Sequence, residues 1–139
     1  MEIKRIMGID LGAARVGVAI SDDLGMLAHP LETIHVAKTK PTERIVQLAT
    51  EREVSTIVVG VPRNMDGSLG PAAQAAKEFV EQLKTHVGCR VVTWDERLST
   101  VSAQRSLREA GRSAKKQRNV IDQAAAQVIL QSWLDAQCV

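Results

Sequence analysis

The stretch "STIVVGVP" at 55–62 constrains this chain more than any other segment. It is a continuous β-branched run with no alternation of polar and apolar positions, the pattern of a strand buried on both faces. Such a strand needs a covering layer above the sheet and another below it. The flanking segments can supply them. In "TERIVQLATEREV" Ile45, Leu48 and Ala49 recur at helical spacing, and in "AAQAAKEFVEQLKTHVG" so do Ala72, Ala76, Phe79, Val80, Leu83 and Val87, with Gly88 placed to end the helix. "CRVVTWDE" (89–96) is a further short strand that ends in two acids. "LSTVSAQRSLREAG" reads as a helix capped by Ser99 or Thr100 at one end and Gly111 at the other. After the basic linker "RSAKKQR", residues 119–136 read as a long final helix.

The N-terminal part has a different texture. Residues 3–10 are an apolar run, "LGAAR" turns the chain, and "VGVAIS" follows as a second strand. "DDLG" is another turn, and "MLAHPLETIHV" reads as a third strand, edge-like at Pro30. The predicted order is therefore β-β-β-α-β-α-β-α-α: an α/β chain with a mixed central sheet and helices packed on it. At 139 residues it is expected to be a single domain over 1–139. With 45% apolar and 24% charged residues it is not a disordered chain. No apolar run approaches the ~18–20 residues that span a bilayer, and the N-terminus lacks a signal-peptide pattern. Cys89 and Cys138 are isolated thiols, so a reducing, cytoplasmic setting is expected.

Asp10 is the odd residue of the first strand, an acid between Ile9 and Leu11 where the pattern asks for burial. Asp95 and Glu96 would close the last strand, and Asp122 falls in the first turns of the final helix. Active groups of open α/β sheets gather at the carboxyl ends of strands, so these acids could meet at one edge. Carboxylates crowded together raise one another's pKa unless a cation sits among them. Hard divalent ions take oxygen ligands. Two of them ~3.5–4 Å apart can activate a water and stabilise the leaving oxygen of a phosphodiester. His29, His35 and His86 are scattered, and neither GxSxG nor HExxH occurs. Each acid also has a plainer reading. Asp10 could serve a strand-to-turn connection, and Asp95 and Glu96 a helix N-terminus. Asp122 could be the N3 acid of a capping box opened by Asn119.

Net charge is only +2, but it is unevenly spread. From Arg105 to Arg118 six basic residues face one acid, a local excess of five on a body that is negative by three. That stripe is either a phosphate-binding face or a solvated helix and loop.

Four blocks, "GIDLGAARVGVAISD", "IVVGVPRNMDGS", "DERLSTVSAQ" and "IDQAAAQVIL", occur in this order. Together they make the chain, from about Ile6 to Trp133, resemble the YqgF family, also called RuvX. These are bacterial proteins with an RNase H-like fold, related to the RuvC Holliday-junction resolvases. The resemblance implies an RNase H-like fold with a mixed five-stranded central sheet flanked by helices. It implies a hydrolase, a two-metal-ion endonuclease using Mg²⁺ or Mn²⁺. Its catalytic and metal-binding acids fall on Asp10, Glu96 and Asp122, with Asp95 open as the alternative to Glu96. The implied substrate is RNA, the 5′ end of pre-16S rRNA during ribosome biogenesis. The rivals are a Holliday junction resolvase acting on branched DNA and a non-catalytic RNA-binding assembly factor. Length speaks against the resolvase, since the chain leaves little room for a junction-binding and dimerisation extension. Monomer and homodimer both stay open, as do Mg²⁺ or Mn²⁺ and endo- or exonucleolytic cutting.

The remaining block residues have structural and functional readings side by side. Asn64, Asp66 and Gly67 shape a loop or touch substrate, and Trp94 is core or a stacking platform. Arg97, Ser99 and Thr100 cap a helix, steady Glu96 or, for Arg97, contact phosphate. With only three aromatic residues, recognition is not expected to rest on many stacked bases. Binding should rest on backbone charge, hence on Arg97, Arg112, Lys115, Lys116 and Arg118, and should weaken with salt. "IDLG" with Gly17 also resembles the first phosphate loop of actin-like ATPases and sugar kinases. Those need two such domains, and no Walker-type loop occurs here.

Overall fold

The computed structural model describes residues 4–99 and 115–137, with side chains of the second segment from 121 onward. Three strands come first, β1 (Arg5–Leu11), β2 (Arg15–Ser21) and β3 (Ala28–His35). Then follow α1 (Pro41–Glu51), β4 (Val54–Val61), α2 (Pro71–His86), β5 (Arg90–Asp95), a 3-10 turn at Glu96–Leu98, and a long α3 (Lys115–Gln137). The helix expected over "LSTVSAQRSLREAG" falls almost wholly outside the described residues. The sheet order is β3-β2-β1-β4-β5. β1, β2 and β3 form an antiparallel meander, while β4 and β5 run parallel to β1. The expected mixed five-stranded sheet is therefore present. β3 lies at its edge, where the missing N–H of Pro30 is tolerated.

Both faces of the sheet are covered. Met7, Ile9, Val16, Val18, Ile57 and Val59 pack against α1 and α2. Ile6, Ala19 and Val58 pack against α3, through Ala125, Ala126, Ile129, Leu130 and Trp133. Ile57, Val58 and Val59 are all fully buried, which is the burial on both sides that the unbroken apolar run requires. On α2 the buried alanine of the first turn is Ala73 rather than Ala72, which is exposed. The inward stripe is Ala73, Ala76, Phe79, Val80 and Leu83.

α3 departs from expectation at its start. Lys115, Lys116 and Arg118 lie within the helix, not in a linker before it. Lysine, glutamine and arginine are good helix formers, and no glycine or proline separates them from the apolar part. Asn119 is therefore interior to α3 and does not cap it, so Asp122 is not an N3 capping acid. α3 reaches the sheet closely because glycines face it. A Cβ on Gly8 would stand 2.6 Å from Leu130 Cβ, and one on Gly17 would overlap the Asp122 carbonyl oxygen. Gln127 Nε2 donates to the Ala28 carbonyl, and the Ala28 amide donates to Gln131 Oε1, so the helix also satisfies the edge strand. No described helix is long and apolar enough to cross a membrane.

Candidate active site

Asp10 is one residue from the end of β1, paired with Gly17 of β2. Alternation along β1 places it on the α3 face with Gly8. It is buried, 8% exposed. Glu96 opens the 3-10 turn directly after β5 and is only 3% exposed. Its Oε2 lies 2.8 Å from where a Cβ on Gly60 would stand. Gly60 follows Val59, the partner of Ile9, so it borders Asp10 across the β1–β4 pairing. The missing side chain at position 60 thus leaves the space in which a carboxylate from the end of β5 reaches toward the end of β1.

Asp95 is engaged elsewhere. Its Oδ1 accepts from the Arg97 amide at 2.9 Å, its Oδ2 from Arg97 Nη2 at 2.7 Å, and Arg63 Nε stands 3.7 Å away. The hydrogen-bonded Arg97 guanidinium holds the Asp95 carboxyl below the usual carboxylate range, and Asp95 in turn raises Arg97. Asp95 and Glu96, adjacent in sequence, therefore have different surroundings. One anchors two arginines; the other is buried over Gly60.

Asp122 sits where α3 presses on Gly17, the pairing partner of Asp10. Its Oδ2 accepts from Arg15 Nε at 2.6 Å, an ion pair between partly buried groups. The three expected acids thus belong to β1, the turn after β5, and α3. Among the described residues no three acidic, histidine or cysteine side chains stand in a group ready to hold a metal ion. The donors suit a hard divalent cation chemically, being all carboxylate oxygens. Asp10 and Glu96 share the face, and the third acid is turned to a guanidinium.

The loop after β4 is shaped by its own side chains. Asp66 Oδ1 accepts from Ser68 N and Oγ, which lowers its pKa, and Asn64 Nδ2 donates to Ser68 Oγ. Gly67 has φ +88°, a left-handed conformation that suits glycine, and Arg63 Nη1 donates to its carbonyl. Trp94 is half-buried beneath α3 and donates from Nε1 to Ser132 Oγ at 3.1 Å, so it belongs to the core. Ser99 Oγ donates to the Glu96 carbonyl, fixing the turn that carries that acid. Of the expected phosphate contacts, Arg97 stands at the rim bound to Asp95. Arg112 lies outside the described residues, as do the side chains of Lys115, Lys116 and Arg118. Arg15 and Arg63 were not anticipated. Arg15 is legible only as the one basic residue between the glycines of "GAARVG".

A meander of three antiparallel strands extended by two parallel ones, with acids at the end of the first strand, after the last and on the closing helix, is the RNase H-like architecture. Over 97% of this chain and 96% of the other, it superposes on "T. thermophilus RuvC in complex with Holliday junction substrate", with a TM-score of 0.63 at 14% identity. Residues 4–136 match the family described as "RuvX: Holliday junction resolvase", and the chain belongs to that family. It is 48% identical over 134 residues to a Listeria innocua protein named "Putative pre-16S rRNA nuclease", covering 94% of this chain and 97% of that one. A Myxococcus xanthus protein of the same name is 49% identical over 133 residues, covering 95% and 88%. The RuvC chain is covered almost end to end, a likeness of fold.

Proposed function

We propose that this protein is a divalent-metal-dependent nuclease that hydrolyses phosphodiester bonds and processes the 5′ end of pre-16S rRNA. The observation that carries the reading is the pair of buried carboxylates, Asp10 and Glu96, on either side of Gly60 at one end of the sheet. Carboxylate oxygens brought together at the end of a sheet are the donors that a hard divalent cation takes. The names borne by relatives about half identical over nearly the whole chain support this choice of substrate.

Asp10 and Glu96 would hold the ions, with Asp122 as the third ligand. Bound Mg²⁺ or Mn²⁺ supplies Lewis-acid charge and an activated water. The chain supplies the rest. Gly60 keeps room for the Glu96 carboxylate, and the Ser99 hydroxyl steadies the carbonyl of the same residue. Arg97, half exposed and oriented by Asp95, faces the backbone of the nucleic acid at the rim. The charge of Arg112, Lys115, Lys116 and Arg118 would add to phosphate attraction. A Holliday junction resolvase is the second reading, favoured by the family's description and the RuvC-like fold.

A cleavage assay with Mg²⁺ or Mn²⁺ on a pre-16S rRNA 5′ leader and on a four-way DNA junction separates these readings. RNA cutting that falls ~10²-fold or more in Asp10→Asn is the expected outcome. Paired symmetrical junction nicks would move the assignment to the resolvase. RNA binding without cutting would make the protein an assembly factor.

A further inference from the structure

Asp122 does not wait for a cation with an empty carboxylate. Its partner is Arg15, the first residue of β2, which starts at the same end of the sheet where β1 finishes. The contact is a hydrogen bond through Nε to one carboxylate oxygen, at 2.6 Å. Arg44 and Glu32 show the contrast. There two guanidinium nitrogens meet two carboxylate oxygens, at 2.8 and 2.7 Å, in the paired geometry that fixes a structural bridge. A one-point contact on a long side chain is easier to exchange. The electrostatic reason for Arg15 is equally local. The turn that carries Asp122 is seated on Gly17, the pairing partner of the buried Asp10, where a second carboxylate nearby favours a positive neighbour.

We propose that Arg15 is an exchangeable counter-cation for Asp122: the guanidinium neutralises this acid in the metal-free protein, and a divalent cation must displace it to recruit Asp122. The inference rests on Asp10, Glu96 and Asp122 forming the metal site. On this view the site carries its own competitor, which keeps the end of the sheet compact without metal and raises the cation concentration at which the third ligand joins. Arg15 is a positioning residue, because it acts on the metal only through Asp122.

The test is Mn²⁺ binding to the full chain, read as free Mn²⁺ by electron paramagnetic resonance, without substrate. Arg15→Gln removes the competitor and is expected to bind Mn²⁺ about 2- to 5-fold more tightly, the fold-change equivalent to one partly exposed ion pair. Arg15→Lys keeps the charge and should stay near wild type. In an Asp122→Asn background the gain from Arg15→Gln should vanish. Equal or weaker binding by Arg15→Gln, with Asp10→Asn still weakening it, overturns the role of Arg15 alone. Wild type and Asp10→Asn binding Mn²⁺ equally would overturn the metal site itself, and Arg15's role with it. A thermal melt of each variant separates lost ligand binding from lost fold.

Discussion

At the scale of single residues, glycines decide how α3 reaches the sheet. Gly17 has no room for a methyl group, because the Asp122 carbonyl oxygen occupies that space and a backbone atom cannot swing aside. Gly17→Ala is expected to cost about 1–3 kcal/mol, as overpacking does, and to displace the turn that holds Asp122. Gly88 is the control. A Cβ there meets nothing within 4 Å and its backbone is not left-handed. Gly88→Ala should be neutral or stabilise by about 0.4–1 kcal/mol through the unfolded state. Urea unfolding of the two variants checks both signs; a Gly17→Ala protein as stable as wild type would contradict the close approach of α3. Asp10 was legible as a misplaced acid, because one carboxylate in an apolar run breaks a pattern. Arg15 was not, because a basic residue at the start of a strand breaks none until its partner, 107 positions away, is known.

At the scale of elements, the bridge between β3 and α1 makes a prediction about pH. Arg44 donates to both oxygens of Glu32, and this hydrogen bonding holds the Glu32 pKa below its ordinary value of 4.5. A carboxylate with a lowered folded pKa contributes stability that is complete above its unfolded pKa and is lost as pH falls through the folded one. Glu32→Gln should therefore lower stability by about 1 kcal/mol at pH 7, the upper range for a partly exposed pair. The difference from wild type should close as pH drops below 4.5. Urea midpoints measured across pH 3 to 7 (roughly the window in which carboxylates titrate) give the comparison; a gap that persists undiminished in acid would mean the bridge is not the source. Elements with strong periodicity were legible throughout, as β4 and α1 show. The phase of α2 slipped from Ala72 to Ala73, since two adjacent alanines carry almost no information about which faces inward. The start of α3 slipped by a turn because its basic residues read equally well as linker and as helix.

At the scale of the whole molecule, topology does what no single motif can. The sheet order brings the ends of β1 and β5 to either side of β4, so acids 86 positions apart share one edge. Two buried acids thus lie at the end of the sheet where a cation is proposed to bind, while the positive excess of the sequence lies between Arg105 and Arg118. In the proposed reading a polyanion is repelled by the acids until a cation neutralises them and is drawn by the basic stretch. Binding and cutting should then separate under mutation. Replacing both Lys115 and Lys116 with Ala should weaken RNA affinity and flatten its salt dependence, reducing the slope of log K against log salt by about 1.4 for single-stranded RNA if each lysine meets one phosphate. Single-turnover cleavage at saturating protein should be nearly unchanged, since neither lysine is among the proposed metal ligands. Filter binding from 50 to 300 mM salt (roughly the range over which such slopes are resolved) tests the first part. An unaltered slope would show that the positive excess is a solvated helix start, and the phosphates would have to be held at the rim by Arg97 and its neighbours.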